Sequence, residues 1–105
     1  MIYCFPVTIR PTMQRLRLYS NDLGYEDMSG LTFQSTNIEI RIDSNSMTAT
    51  EVNHWLVDMD TVLGTGTGTI KTDGSNAAPD GTSGGYDGLT AKANLISKGY
   101  TVTTN

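Results

Sequence analysis

The sequence predicts one small α/β domain, a short solenoid with a parallel sheet on one face and short helices or loops on the other. Three observations predict this fold. An alternation of apolar residues followed by Asn recurs along the chain, and a repeated unit of this size is typical of stacked architectures. Helix-like segments follow the second and third copies. A length of 105 residues is enough for one domain only.

The repeat is clearest in two blocks. Residues 16–23 read LRLYSNDL and residues 40–47 read IRIDSNSM, so both have apolar residues at the first, third and eighth positions and Asn at the sixth. A looser copy, IKTDGSN, occupies residues 70–76 with one residue inserted before its Asn. The segment TVTTN at residues 101–105 matches only as a strand. Four strands are therefore expected.

Each copy begins with a strand of period two that buries one face. The inward residues are expected to be Leu16, Leu18, Ile40, Ile42, Ile70 and Thr72. We expect Leu18, Ile42 and Ile70 to lie over one another in one continuous apolar interior. The Asn after each strand falls where the chain must turn. Its amide can bond backbone groups of its own repeat unit, which we call a coil, and of adjacent coils. The predicted structural ladder consists of Asn21, Asn45 and Asn76.

The segments that return to the next strand differ in character. Residues 48–51, TATE, have capping-box spacing, and apolar residues follow at helical intervals up to Gly64. After the third strand, Leu89, Ala93 and Ile96 share one face of a short helix that Gly99 terminates. The return after the first strand is expected to contain at most one helical turn. Glycine and threonine alternate over residues 64–69, which indicates a link or an extended lead into the third strand.

LRLYSNDL and IRIDSNSM resemble leucine-rich repeats, whose motif is LxxLxLxxNxL. The resemblance extends over residues 13–105 and implies a curved leucine-rich-repeat-like solenoid with a recognition or structural role and no shared catalytic residues. A narrower resemblance lies in SNSMTATEVNHWLVDMD, GTIKTDGSNAAP and GLTAKANLISKGYTVTTN, which follow one another in this order. This order is similar to a C-terminal repeat and cap segment of phage and bacterial surface or virion proteins.

The first twelve residues form a separate unit in this interpretation. They are strand-prone and apolar, are interrupted by Pro6 and end near Pro11. We assign residues 1–12 to an N-terminal strand that caps the first coil or acts as an assembly arm, and residues 13–105 to the leucine-rich-repeat-like domain. Because an open apolar strand edge promotes association, a homo-oligomer or a larger assembly with other virion or surface proteins is expected. The single Cys4 cannot form an internal disulfide.

Composition argues against several classes of partner and location. The formal net charge of -4 disfavours nucleic acid, and no apolar stretch approaches the roughly 20 residues that span a bilayer. The N-terminus lacks the charged and apolar regions of a secretion signal. We therefore expect no nucleic acid and no membrane insertion, with synthesis in the cytoplasm and a final location in a virion or on an extracellular surface.

No constellation of residues indicates catalysis, a metal or a cofactor. His54 has no Ser or Cys in a recognisable nucleophile motif, and as a surface helix residue it needs no role. Asp58 and Asp60 are two positions apart on a helix, so their carboxylates diverge. The aspartates of the third copy do not follow a known calcium loop. The sequence predicts a protein that is not an enzyme.

The outward positions of the strands carry the candidate binding residues. Arg17, Arg41 and Lys71 occupy equivalent positions and are expected to form a row. Tyr19, Asp43 and Asp73 occupy the next outward positions and can supply diagonal partners for these cations. One interpretation is a self-neutralised, solvated sheet. The other is a strip that binds glycan or protein, in which Tyr19 provides a stacking face.

Two functions therefore remain. The first is a non-enzymatic structural or assembly module of a phage virion, such as a capsid, fibre or tail accessory protein. The alternative is a recognition module that binds glycan or protein through the outward strand face. The first follows from the repeat and the strand-prone N-terminal segment, and the second from the charged row.

Overall fold

Four short parallel strands and two helices make up residues 13–28 and 30–105, which the computed structural model describes. In chain order the elements are β1 (Arg15–Arg17), β2 (Ile38–Arg41), α1 (Ala49–Val62), β3 (Gly68–Lys71), a 3-10 turn (Ser83–Gly85), α2 (Gly88–Lys98) and β4 (Tyr100–Thr103). The predicted α/β class and parallel sheet are confirmed. The N-terminal strand expected within residues 1–12, including Cys4, lies outside the described residues.

The sheet has the sequential order β1-β2-β3-β4, and every neighbouring pair is parallel. One row of side chains lies level across all four strands: Leu16, Ile40, Ile70 and Val102. The next buried row contains Leu18, Ile42 and Thr72. Backbone hydrogen bonds from Leu18 N to Arg41 O and from Ile42 N to Lys71 O continue the sheet pairing into this row. The expectation that Ile70 lies over Leu18 and Ile42 is therefore wrong, because Thr72 occupies that position of the third copy. All six predicted inward residues are nevertheless buried.

Helix α1 begins at the predicted capping box. The Thr48 hydroxyl accepts from Glu51 N, and the Glu51 carboxylate accepts from Thr48 N at 2.9 Å. The helix packs its apolar side on the sheet, and its largest buried side chain is Trp55, which is 1% exposed. The indole Nε1 also donates to Gly24 O at 3.0 Å. Trp55 therefore joins the irregular segment between β1 and β2, which we call the first return segment, to the core.

Helix α2 has the predicted end but presents a different face to the core. Gly99 adopts φ 116° in the left-handed region and caps the helix, where a Cβ would collide with the backbone of Gly66. Ala91 and Leu95 are the apolar side chains that pack inward. The predicted apolar face, by contrast, lies outward, with Leu89 52% and Ile96 50% exposed.

A polar clasp holds the long loop before α2 against α1. The Asp80 carboxylate accepts from Asn53 Nδ2 at 2.8 Å and from the backbone N–H groups of Thr82 and Ser83. Asn53 is fully buried, and its Oδ1 accepts from Asp80 N at 3.0 Å. The hydrogen bonds from Ser83, Asn53 and Thr82 hold the pKa of Asp80 well below its usual range.

We expect Trp55→Ala to lower the free energy of unfolding by about 3 to 5 kcal/mol, because it leaves a cavity beneath the first coil. Urea denaturation followed by circular dichroism measures this loss. Thr61→Ala is the matched control, since Thr61 is exposed on the same helix. A Trp55→Ala variant with the same free energy of unfolding as the wild type would contradict the assignment of this side chain to the core.

The Asp80 clasp predicts acid sensitivity. A carboxyl whose folded-state pKa is depressed stabilises the fold above its unfolded value of about 3.9 and loses that contribution as the pH falls through the folded-state pKa. We expect Asp80→Asn to be less stable than the wild type at pH 7 and to lose less stability on acidification. Unfolding measured from pH 7 to pH 3 tests this, with Asp22→Asn on an exposed turn as control. If the stabilities of the wild type and of Asp80→Asn fell equally with pH, the Asp80 clasp would not be the source of the acid sensitivity.

Candidate interaction surfaces

The ladder asparagines lie just beyond the strands and bond across neighbouring coils. Asn45 Oδ1 accepts from Asn21 N at 3.0 Å and from Leu23 N at 3.1 Å, and Asn45 Nδ2 donates to Leu18 O at 3.0 Å. Asn76 repeats the arrangement one coil later, with Oδ1 accepting from Asn45 N and Met47 N. Each amide thus satisfies backbone groups of the coil before it as well as its own.

The ladder is directional, and its first member differs from the others. Asn21 Nδ2 donates to Leu18 O at 2.9 Å, within its own coil. Asn21 Oδ1 has no hydrogen-bond partner among residues 13–28 and 30–105, and Asn21 is exposed whereas Asn45 and Asn76 are buried. The equivalent oxygens of Asn45 and Asn76 accept from the preceding coil. The first coil therefore offers an unused acceptor on its N-terminal side.

The outward residues of the strands form a row whose charges are paired internally. We call the six residues the outer strip: Arg17, Tyr19, Arg41, Asp43, Lys71 and Asp73. The register places Arg17, Arg41 and Lys71 level with one another. Arg17 pairs with Glu39 at 2.6 Å, Arg41 with Asp43 at 2.7 Å, and Lys71 with Asp73 at 3.9 Å. Asp43 and Asp73 thus pair with the cation two residues before them in sequence rather than diagonally, whereas Arg17 pairs with Glu39 of the neighbouring strand.

Arg41 is the centre of the outer strip. Two guanidinium nitrogens reach the Asp43 carboxylate, at 3.0 and 2.7 Å, and raise the pKa of Arg41. Burial of Asp43 is the largest single influence and raises its pKa, but the hydrogen bonds from Arg41, a backbone hydrogen bond and the nearby positive charges of Arg41 and Lys71 together lower the pKa of Asp43. The same guanidinium lies 3.8 Å from the centre of the Tyr19 ring. One face of Tyr19 is therefore already occupied.

Three rings stack along the helical side of the molecule. The His54 imidazole lies between Tyr25, with ring centres 3.5 Å apart, and Tyr86, with ring centres 4.1 Å apart. The Tyr25 hydroxyl donates to Asp58. Burial of the hydroxyl and, to a lesser extent, this hydrogen bond raise the pKa of Tyr25. His54 was expected to be a surface residue without a role, and this is wrong. It is half-buried and fastens the first return segment and the long loop to α1.

An apolar cleft opens at the first coil. It has a volume of about 350 Å³ and is bounded by β1, the first return segment and Trp55. Its lining residues are Leu16, Leu18, Leu23, Glu26, Asp27, Met28, Leu31 and Trp55. We call this the N-terminal cleft. Leu23 and Leu31 are only half-buried there, so the end of the core is not closed by the described residues.

The opposite end also exposes apolar surface. Leu89, Lys92, Ala93 and Ile96 follow helical spacing along the outward side of α2, which we call the α2 outer face. Lys92 Nζ donates to Thr104 Oγ1 at 2.8 Å and has no carboxylate partner among the described residues. Beside this face lies β4, the last strand of the sheet order. This end thus combines an apolar helix face with a strand edge.

Sequence reasoning found the outer strip and the Asn ladder but missed the two ends. The N-terminal cleft arises from an irregular segment whose apolar residues follow no period. The α2 outer face was recognised as an apolar face, yet nothing in the sequence indicates that Ala91 and Leu95 pack inward instead. The signal that pointed to the ends was indirect, namely that so few coils leave terminal surfaces that must be covered.

Within residues 13–28 and 30–105, no group of three His, Cys, Asp or Glu side chains is placed to hold a metal ion. In the same residues, no helix has the length and apolarity needed to cross a bilayer. Comparison with protein families, curated proteins and solved structures finds no match for this chain. The candidate function therefore has to be argued from the surfaces themselves.

The ladder predicts that Asn45→Ala is more destabilising than Ser46→Ala. The first change removes the partners of backbone groups in two coils, each worth about 1 to 3 kcal/mol when buried and unpaired. Ser46 is exposed, and its hydroxyl makes only a long contact of 3.4 Å with Ser75 Oγ. Equilibrium unfolding of both variants provides the comparison. Equal and negligible losses would show that the ladder does not stabilise the fold.

Proposed function

We propose that this chain is a non-enzymatic assembly module, a short solenoid of the leucine-rich-repeat type that joins a larger structure through the ends of its stack. The sequential parallel sheet, the level rows of apolar residues and the directional Asn ladder support the solenoid. The sequence resemblance suggests a phage virion or bacterial-surface assembly as the setting, with the chain as a capsid, fibre or tail accessory component.

The observation that carries this proposal is apolar surface at both ends of the sheet. The N-terminal cleft leaves the first coil open, and the α2 outer face leaves two large apolar side chains about half exposed. Terminal repeats of solenoids usually present a polar outer face. Apolar side chains beside a strand edge are instead typical of surfaces that another protein covers.

The outer strip is the weaker candidate for binding. Each of its cations already has a carboxylate within 4.0 Å, and Arg41 covers one face of Tyr19. A ligand would have to displace these partners to reach the charges. The pairs made by Arg17 and Lys71 are partly exposed, and such pairs typically contribute about 0 to 1 kcal/mol to stability. Asp43, the partner of Arg41, is itself buried. The strip therefore fits the self-neutralised sheet better than a prepared glycan site.

Sedimentation of the full chain over a range of concentrations tests assembly against recognition. We expect multimers whose mass rises with concentration and is unchanged in Arg41→Ala and Lys71→Ala, because these residues lie on the inner strands β2 and β3. Arg17→Ala, which lies on the edge strand β1, is included for the glycan comparison only. The same variants are applied to a glycan array. A chain that stays monomeric at its highest soluble concentration would overturn the proposal. Glycan binding that is lost in the three variants would establish recognition instead.

A further inference from the structure

The two ends of the sheet are geometrically able to continue one another. Among residues 13–28 and 30–105, β1 and β4 are the edge strands, all strands are parallel, and one apolar row runs from Leu16 in β1 to Val102 in β4. If β4 of one copy lay beside β1 of another in the same direction, this row would continue from Val102 to Leu16. Pairing two β4 edges about a twofold axis would be antiparallel and would break the row.

The apolar surfaces at the ends are also of opposite shape. The first coil has no helix on its return side, and the N-terminal cleft lies there with a volume of about 350 Å³. The last coil has α2 on its return side, with Leu89 and Ile96 projecting outward. A projecting helix face at one end and a recess at the other suit end-to-end contact between copies.

Charge distinguishes this arrangement from a symmetric one. Glu26 lines the N-terminal cleft and has no ion pair with any described residue, and Lys92 on the α2 outer face likewise lacks a carboxylate partner there. Contact between opposite ends brings these two charges together. Contact between two α2 outer faces would bring the Lys92 ammonium groups of the two copies together, and their like charges would repel.

We propose that the partner at each end is a second copy of this chain, bound head to tail, with β4 and the α2 outer face of one copy against β1 and the N-terminal cleft of the next. This inference rests on the proposed assembly function and specifies its partner. Such a contact is heterologous, because different surfaces of the two copies meet. It therefore produces a ring if the rotation closes and an open filament if it does not.

Two end-blocked variants test the arrangement. Ile96→Glu places a charge on the α2 outer face, and Leu23→Glu places one in the N-terminal cleft. We expect each variant alone to be monomeric. An equimolar mixture should form a one-to-one heterodimer and nothing larger, because one copy keeps its intact cleft and the other its intact α2 outer face. Native mass spectrometry with one isotope-labelled variant identifies this species.

Matched controls carry the same charge away from the ends. Thr61→Glu is exposed on α1, and Thr36→Glu is exposed before β2; both should assemble as the wild type does. Circular dichroism checks that each variant is folded. Should Leu23→Glu fail this check, Glu26→Lys replaces it, since Glu26 is exposed. That variant should associate less on its own and recover when mixed with Lys92→Glu.

The remaining outcomes separate the two proposals. Multimers that persist unchanged in both end-blocked variants would overturn the head-to-tail contact and the use of these two ends, while self-assembly itself would stand. Dimers of Leu23→Glu alone, with no new species on mixing, would indicate symmetric pairing of the α2 outer faces. A wild type that stays monomeric at its highest soluble concentration would overturn both proposals, whatever Leu23→Glu does to the melting temperature.

Discussion

The fold depends on satisfying the backbone where each coil leaves the sheet. At these bends the N–H and C=O groups lose their strand partners, and buried groups of this kind are costly when unpaired. Asn45 and Asn76 provide both an acceptor and donors on one short side chain, and each bonds to two coils. An aspartate at either position would lack the donors. The amide ladder therefore ties the coils together while the apolar rows fill the space between sheet and helices.

This ladder gives the stack a direction. The side-chain oxygens of Asn45 and Asn76 each accept from the coil before them, whereas Asn21 Oδ1 in the first coil has no partner among the described residues. The helical layer is asymmetric in the same sense, because the first return segment is irregular and the later ones contain α1 and α2. A recess at one end and a projecting helix at the other both follow from this asymmetry. The ends of the molecule consequently differ in shape as well as in hydrogen bonding.

Much of the fold was predictable because its determinants are local. The period-two strands, the repeated Asn, the capping box at Thr48 and the terminating Gly99 each lie within a few residues. The features that were missed depend on contacts between distant segments. In α2, both Ala91 with Leu95 and Leu89 with Ile96 fit helical spacing, and only the position of the helix on α1 decides which pair is buried. The stack of Tyr25, His54 and Tyr86 joins three segments that share no sequence pattern. The outer strip was predictable as a row, but its ion pairs depend on side-chain geometry that spacing does not determine.

The chemistry of the two kinds of surface determines what each can contribute to binding. The charges of the outer strip are already paired within the molecule, and the carboxylate that pairs with Arg41 is buried. A partner can therefore reach these charges only by breaking contacts that already exist. The ends offer apolar area, whose removal from water stabilises a complex without first breaking an internal bond. The net charge of -4 opposes self-association only weakly at physiological salt, where screening acts over about 8 Å. The association that we propose through the ends would therefore draw on the same hydrophobic burial that holds the sheet and helices together inside the molecule.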